Sequence, residues 1–192
     1  METAFIAPPA RIPWLLRLGL WAARKIAGKD LLPARLLAWY PKAAISSGVL
    51  EALIAHDEGC VDERMLKLVR MAVSFTAGCP FCVDMNSVGW EKLLTKDELA
   101  GLQGRVPLET VGTFTEAEQL AVTYARLATQ TPLAFPPDFI SRLKACFNER
   151  EIVILATTAA QVNYWTRLIQ ALGCPPAGFN DSFNLVLPLK AL

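Results

Sequence analysis

The sequence predicts an all-α protein, and three features of its 192 residues support that prediction. Apolar residues recur at helical spacing over several long stretches. Residues that cap helix N-termini come before most of these stretches, and glycine or proline follows them. The one strand-like run, residues 185–187 before Pro188, is too short to form a sheet alone. We therefore expect a single helical domain over residues 1–192, with an N-terminal helical extension over about residues 1–40.

Composition and charge narrow the function classes. Apolar residues make up 53% of the chain, the mean hydropathy is +0.33 and the net charge is +1 at neutral pH. The near-neutral charge and the lack of a lysine- and arginine-rich cluster argue against nucleic-acid binding. The apolar excess must be buried, and an interface in a homo-oligomer is a natural place for it. Five cysteines without a regular framework fit a reducing compartment, so we expect a cytoplasmic protein.

The N-terminal segment could in principle be a secretion signal or bind a membrane. The chain opens Met1-Glu2-Thr3, without the basic start of a secretion signal, and residues 1–13 contain three prolines and are expected to be irregular. The helix predicted over residues 14–27 is basic and aromatic, which is compatible with a membrane surface. It is short and lacks a strong polar face, so we favour docking on the protein body or on a neighbouring subunit. No charge-free stretch reaches roughly 18 apolar residues, so stable membrane insertion is not expected.

Two predicted helices lead to the most informative stretch of the chain. The first covers residues 42–55, and the single histidine, His56, follows it. A histidine at a helix end is more often a capping or surface group than a catalyst. The second helix covers residues 63–76 after Asp62, its predicted N-cap. It is apolar over most of its circumference, and its narrow polar stripe faces either solvent or an active-site cavity. The stripe consists of Lys67, Arg70 and Ser74.

A Gly-Cys-Pro-Phe-Cys segment at residues 78–82 follows this helix. Gly78 can end the incoming helix in a left-handed conformation, and Pro80 suits the first turn of a new one. Cys79 then lies near the N-cap and Cys82 at about the third helical position, with both sulfurs on one face. The free N–H groups and the positive end of the helix dipole favour a thiolate there. The segment therefore predicts a dithiol that can close to a disulfide.

Two other interpretations of the cysteine pair stay open. The pair could supply half of a zinc site, but zinc needs four ligands, and the remaining cysteines are isolated. These are Cys60, Cys146 and Cys174. The two thiols could also pack as small apolar groups without chemistry. We favour redox chemistry and expect neither a metal nor a cofactor.

The remaining sequence predicts further helices. The cysteine helix is expected to extend to about residue 94, and a helix over residues 138–147 follows a proline-rich loop. The last helix, ending near residue 172, is apolar on all sides, which is typical of a central or interface helix. Capping boxes mark the starts of three helices. Their N-cap residues are Thr95, Thr115 and Asn148.

The arrangement of a helix, the cysteine segment and a second helix resembles the carboxymuconolactone decarboxylase/AhpD-like superfamily. The matching residues are Arg70, Ala72, Ser74, Gly78, Cys79, Cys82 and Asp84, with weaker similarity at residues 149–151, Asn163 and Arg167. The resemblance implies an AhpD-like helical bundle that assembles into trimers or hexamers. It also implies an antioxidant, alkylhydroperoxidase or peroxiredoxin-type activity. In that activity Cys82 attacks a peroxide and Cys79 resolves the sulfenic acid as a disulfide.

The sequence departs from the AhpD pattern at two positions. AhpD proteins carry a glutamate twelve residues before the first cysteine and a histidine four residues after the second, where this chain has Lys67 and Asn86. Lys67 can stabilise a thiolate by its charge, whereas Asn86 can form hydrogen bonds but cannot carry a proton. The predicted site is therefore Cys82, Cys79, Lys67 and Asn86. It would act on a peroxide or another small molecule and be regenerated by a thiol reductant.

Two alternatives belong to other function classes. A decarboxylase-like lyase would need a base and a carboxylate clamp, for which Arg70 and Arg167 are the candidates. A non-catalytic oligomeric scaffold would keep the cysteines for packing or as a structural disulfide.

Overall fold

The structure is a computed structural model that describes residues 4–53 and 61–180. These residues form α-helices and short 3₁₀ turns without a β-sheet, so the predicted all-α fold class is confirmed. The helices are α1 (Trp14–Ala27), α2 (Leu32–Leu37), α3 (Pro41–Leu53), α4 (Glu63–Thr76), α5 (Pro80–Asn86), α6 (Lys96–Leu102), α7 (Glu116–Leu127), α8 (Pro137–Cys146) and α9 (Glu149–Ala171). His56, Cys60 and residues 185–187 lie outside the described residues.

Helix α4 is the central helix of the bundle. It packs against α7, α9 and α5. Its Leu68, Val69 and Met71 are fully buried, as are Leu155 and Ala159 of α9. Of the two positions predicted for α9, central or at an interface, the described residues show the central one. The close packing of α4 and α9 fixes the side chains that these two helices direct toward α5.

The predicted helix starts are confirmed by their caps. The Asp62 carboxylate accepts a hydrogen bond of 2.7 Å from the Met65 N–H. The three capping boxes are formed, with side-chain and backbone bonds in both directions. Each such cap satisfies N–H groups that a helix start leaves unpaired, which stabilises the helix by about 1 kcal/mol.

An ion-pair network holds α4 against the following helices. The Arg64 guanidinium lies 2.7 Å from the Glu98 carboxylate of α6 and 2.5 Å from the Glu118 carboxylate of α7. Burial alone would raise the pKa of Glu98, but hydrogen bonds led by that from Arg64 hold it below its ordinary value. The two carboxylates thus share one guanidinium, which ties the N-terminal part of α4 to α6 and α7.

The prediction for the cysteine helix was wrong at its C-terminal end. Helix α5 stops at Asn86 rather than near residue 94. Gly89 takes a left-handed conformation, with φ of 67°, and a 3₁₀ turn at Trp90–Lys92 follows. This conformation costs glycine little and would strain other residues, which explains why the chain turns there. The short helix α2 was not predicted, although Pro33 at its first turn is a favourable start.

Helix α1 forms with the predicted bounds but has no buried residue. It packs against α3, and its large apolar side chains point away from the described chain. Trp14, Leu18 and Trp21 are 59–70% exposed. None of the helices in the described part of the chain is long and apolar enough to cross a membrane.

Candidate active site at the cysteine pair

Cys79 and Cys82 begin helix α5 as predicted. Gly78 ends the incoming turn with φ of 59°, Cys79 is the N-cap, and Pro80 is the first helical residue. The Cys82 N–H donates a hydrogen bond of 3.3 Å to the Cys79 sulfur. The two residues are joined as a disulfide, with Cα atoms 5.3 Å apart. The segment therefore places both sulfurs within bonding distance without an irregular backbone.

The two sulfurs have different surroundings. Cys79 is fully buried, whereas Cys82 is 3% exposed and lines a cavity of about 320 Å³. Cys79 is not among the residues that line this cavity. A small molecule in the cavity would therefore meet Cys82 first, with Cys79 behind it.

The cavity is mostly apolar with one polar side. It lies between α4, α5 and α9 and is closed by parts of α2 and α3. Its apolar lining residues are Leu31, Pro33, Ala34, Phe81, Met85, Val162, Trp165 and Ile169. Its polar lining residues are Glu51, Lys67, Arg70, Asn86 and Gln161. The predicted site residues Cys82, Lys67 and Asn86 thus share one cavity.

Lys67 is half-buried at the edge of this cavity. Its ammonium group donates a hydrogen bond of 2.6 Å to the Val88 carbonyl. Burial lowers the pKa of Lys67, and the charge of Arg70 lowers it further; Glu63 and Glu91 oppose this shift in part. Lys67 is therefore a stronger acid than an exposed lysine.

Asn86 connects α5 to the polar stripe of α4. Its amide donates a hydrogen bond of 2.9 Å to the Ser74 hydroxyl, which donates one of 2.8 Å to the Arg70 carbonyl. Ser74 is fully buried, whereas Lys67 and Arg70 line the cavity. The cavity-facing interpretation of the stripe is therefore confirmed for both cations.

The sequence analysis did not predict Glu51 as a residue of this site. Glu51 of α3 accepts hydrogen bonds of 2.8 Å from the side chains of Gln161 and Trp165 on α9. Burial lowers the pKa of Arg70, and the charge of Glu51 opposes that shift. Glu51 is the only acidic residue of α3, and an isolated carboxylate on an apolar helix is the one signal that could have singled it out.

Other residues named from the sequence serve elsewhere. Arg167 is exposed and does not line the cavity. Asn163 of α9 donates to the Thr129 hydroxyl and to backbone carbonyls, so it joins α9 to the end of α7. The buried Asp84 carboxylate accepts hydrogen bonds from the N–H groups of Phe179 and Asn180. Within residues 4–53 and 61–180, no cluster of three potential metal-ligating side chains is present.

The described chain is thus an all-helical bundle in which a Cys-x-x-Cys pair starts a helix beside a cavity. No protein-family model matches the sequence. The chain is 26% identical over 176 residues to the uncharacterized protein YnjA of Escherichia coli K12. The match covers 90% of this chain and 94% of YnjA.

Solved structures confirm the fold. The debrominase Bmp8 superposes with a TM-score of 0.77 at 17% identity, covering 95% of this chain and 98% of Bmp8. A cysteine-to-alanine variant of Bmp8 in complex with 2,3,4-tribromopyrrole superposes with a TM-score of 0.72. A peroxidase-related protein from Ralstonia eutropha JMP134 with an AhpD core gives a TM-score of 0.75 at 16% identity, covering 97% of both chains. The AhpD-like fold implied by the sequence resemblance is therefore correct, and this fold carries more than one activity.

Proposed function

We propose that the protein is a thiol-dependent oxidoreductase in which Cys82 is the nucleophile and Cys79 the resolving thiol. The observation that carries this proposal is the difference between the two sulfurs. Cys82 lines the cavity, whereas Cys79 is fully buried within bonding distance of it. A substrate can reach only the first sulfur, and the second can reach only its neighbour.

The proposed substrate is a small hydroperoxide. The Cys82 thiolate attacks the terminal oxygen, the O–O bond breaks, and Cys82 becomes a sulfenic acid while an alkoxide leaves and takes up a proton. The Cys79 thiol then attacks the Cys82 sulfur, water leaves, and the disulfide forms. The peroxide is reduced to an alcohol by two electrons, and the two thiols supply them.

Lys67 and Asn86 support these steps in different ways. The positive charges of Lys67 and Arg70 favour the thiolate over the thiol at Cys82. Because the pKa of Lys67 is lowered by burial, its ammonium group can give a proton to the leaving alkoxide. Asn86 holds α5 against α4 through Ser74 and carries no proton. Lys67 thus replaces, with a different chemistry, the glutamate of the AhpD pattern.

A small thiol reductant is the proposed partner that completes the cycle. It attacks the accessible Cys82 sulfur, and Cys79 leaves as a thiolate. The Cys82 N–H already points at the Cys79 sulfur, which stabilises negative charge on that leaving group. A second reductant thiol then attacks the mixed disulfide and releases Cys82.

Free-thiol counting tests the proposal. The fully reduced protein is treated with one equivalent of cumene hydroperoxide and its thiols are titrated before and after. We expect the loss of two thiols per chain, and the same loss in the Cys146→Ser control, because Cys146 lies outside the cavity. Cys82→Ser should lose none. An unchanged count in the wild type would contradict the proposal.

Reductive dehalogenation is a second candidate, favoured by the similarity to Bmp8 over nearly the whole chain. Here the Cys82 thiolate would attack a halogen atom on an apolar ring, and the ring carbon would take up a proton. Cys79 would then displace halide to form the same disulfide. Halide release from a bromopyrrole, together with an unchanged thiol count after hydroperoxide, would favour this candidate over the first. A lyase activity would be favoured instead by turnover that survives Cys82→Ser.

We also propose that the chain forms a homo-oligomer, a trimer or a hexamer. The support is helix α1, which has no buried residue and exposes two tryptophans and two leucines. Analytical ultracentrifugation tests this assembly, and a monomer at micromolar concentration would contradict it. A cytoplasmic location remains part of the same proposal.

A further inference from the structure

Arg70 is a half-buried cation that none of the described residues satisfies directly. It projects from the middle of α4 and lines the cavity that contains Cys82. No hydrogen bond or close ion pair joins its guanidinium to a residue of the described ranges, whereas Arg64 on the same helix has both. A guanidinium has five donors in a fixed fork, and at Arg70 none of them is used by the described residues. A ligand that brings acceptors of opposite charge would satisfy them.

Glu51 does not fill this role. One of its carboxylate oxygens accepts from both Gln161 and Trp165, so its position is set by α9. It influences Arg70 by its charge without a direct bond. Lys67 adds a second positive charge to the same cavity and bonds the Val88 carbonyl. Two cations against one carboxylate leave one positive charge in excess among the lining residues.

The rest of the cavity lining is mostly apolar. Phe81 and Met85 of α5 and Val162, Trp165 and Ile169 of α9 contribute to it. A volume of about 320 Å³ is at the lower end for small-molecule sites, and it suits a single substituted ring rather than a nucleotide. The lining therefore offers one anchor for an anion and a larger surface for an apolar body.

We propose that the cavity binds small, largely apolar monoanions, and that Arg70 is the residue that selects them by holding their carboxylate. The body of the ligand packs between α5 and α9, with its other end toward Cys82. If the bound anion is the substrate, the proposal rests on the proposed thiol chemistry, and the preferred hydroperoxide or organic halide carries a carboxylate group. Binding of the anion itself does not depend on that chemistry.

The test is therefore a binding experiment on the disulfide form, in which Cys82 cannot react. Isothermal titration compares 3-phenylpropanoate with the neutral 3-phenylpropan-1-ol, which has the same apolar body. We expect the carboxylate to bind about tenfold or more tightly, since a hydrogen bond to a charged group contributes at least that much. Arg70→Met should abolish the preference, and Arg70→Lys should keep part of it, because charge remains and the planar fork is lost.

Two further variants make the result specific to the site. Glu51→Gln should increase the affinity for the carboxylate several-fold, because it removes the competing negative charge while its amide oxygen can still accept from α9. Arg105→Met, an exposed arginine outside the cavity, should leave both affinities unchanged. The opposite signs at Arg70 and Glu51 do not arise from misfolding, and circular dichroism checks each variant.

Equal affinity for the acid and the alcohol in the wild type would overturn the proposal, as would a carboxylate preference that survives Arg70→Met. The outcome is separate from that of the thiol titration. If hydroperoxide consumes no thiols but the carboxylate preference depends on Arg70, the oxidoreductase proposal fails and the anion site stands. If thiols are consumed but the acid and the alcohol bind equally, only the anion site fails.

Discussion

The Asn86 amide lies 2.9 Å from the Ser74 hydroxyl, and this hydrogen bond joins the end of α5 to the buried face of α4. The Ser74 hydroxyl in turn bonds the Arg70 carbonyl one turn earlier. A side chain at the position where AhpD proteins carry a proton-transferring histidine is thus used here to hold two helices together. We infer that Asn86 positions Cys82 and takes no part in proton transfer.

Asn86→Ala should therefore destabilise the fold and alter the rate without altering its pH dependence. Loss of the hydrogen bond to Ser74 should lower the free energy of unfolding by about 1 kcal/mol, measured by urea denaturation. The rate of thiol loss with hydroperoxide should fall with the same pH profile as the wild type. Asn163→Ala is the matched control, because Asn163 also joins two helices but lies outside the cavity. A changed pH profile in Asn86→Ala would contradict the positioning role.

The two single-cysteine variants should differ in whether they form a sulfenic acid that can be labelled. In Cys79→Ser the sulfenic acid at Cys82 has no partner, so dimedone should label about one site per chain after one equivalent of hydroperoxide. In Cys82→Ser the buried Cys79 should remain unlabelled. Cys82→Ser should also lose multiple turnover with a thiol reductant, because the nucleophile is absent. Mass spectrometry of the labelled peptide reads the result, and labelling of Cys79 in place of Cys82 would reverse the assigned roles.

Local signals in the sequence predicted the helices well. The Asp62 cap and the capping boxes are all present in the structure, because a cap depends only on residues within one turn. The cysteine segment was equally local, since Gly78 and Pro80 set the backbone around both sulfurs. The extension of α5 to about residue 94 was wrong because apolar spacing continued past a glycine that the chain uses to turn.

The sequence predicted only part of the cavity lining. Lys67 and Arg70 were singled out because they interrupt an apolar helix, and both line the cavity. Its far side comes from α3 and α9, where Glu51 meets Gln161 and Trp165 across more than 100 residues of sequence. Helix packing creates that contact, and no periodicity within α3 or α9 encodes it. Arg167 was named from the sequence as a candidate carboxylate clamp for a lyase, but it is exposed and does not line the cavity.

The lowered pKa of Lys67 predicts a pH-dependent stability. The unfolded chain holds this proton more tightly than the folded one, so stability should rise with pH between the lowered pKa and the ordinary value of 10.5. Lys67→Met removes this dependence. The difference in free energy of unfolding between the wild type and Lys67→Met should therefore shift in favour of the wild type as the pH is raised toward 10.5. Urea denaturation measures this difference.

The same substitution should slow the thiol chemistry. Without the Lys67 charge, the reduced Cys82 should hold less thiolate at neutral pH, so its alkylation by iodoacetamide should slow several-fold. Lys92→Met, at an exposed position outside the cavity, should leave the alkylation rate unchanged. Equal alkylation profiles for the wild type and Lys67→Met would show that Lys67 does not support the thiolate.

Asp84 should be a structural anchor for the segment that follows α9. Its carboxylate accepts hydrogen bonds from the Phe179 N–H at 3.0 Å and the Asn180 N–H at 2.8 Å. The side-chain amide of Asn180 also donates to the backbone carbonyl of Asp84. Asp84→Ala leaves both N–H groups without a charged acceptor, which should cost roughly 1.5–3 kcal/mol in the free energy of unfolding. Hydrogen exchange at the two amides should accelerate, and Asp84→Asn should lie between alanine and the wild type. Asp84 follows Cys82 by two residues but is not among the residues that line the cavity, so the carboxylate preference of the disulfide form should persist in Asp84→Asn. Loss of that preference with unchanged exchange at residues 179 and 180 would show that Asp84 acts on the cavity and does not anchor the segment.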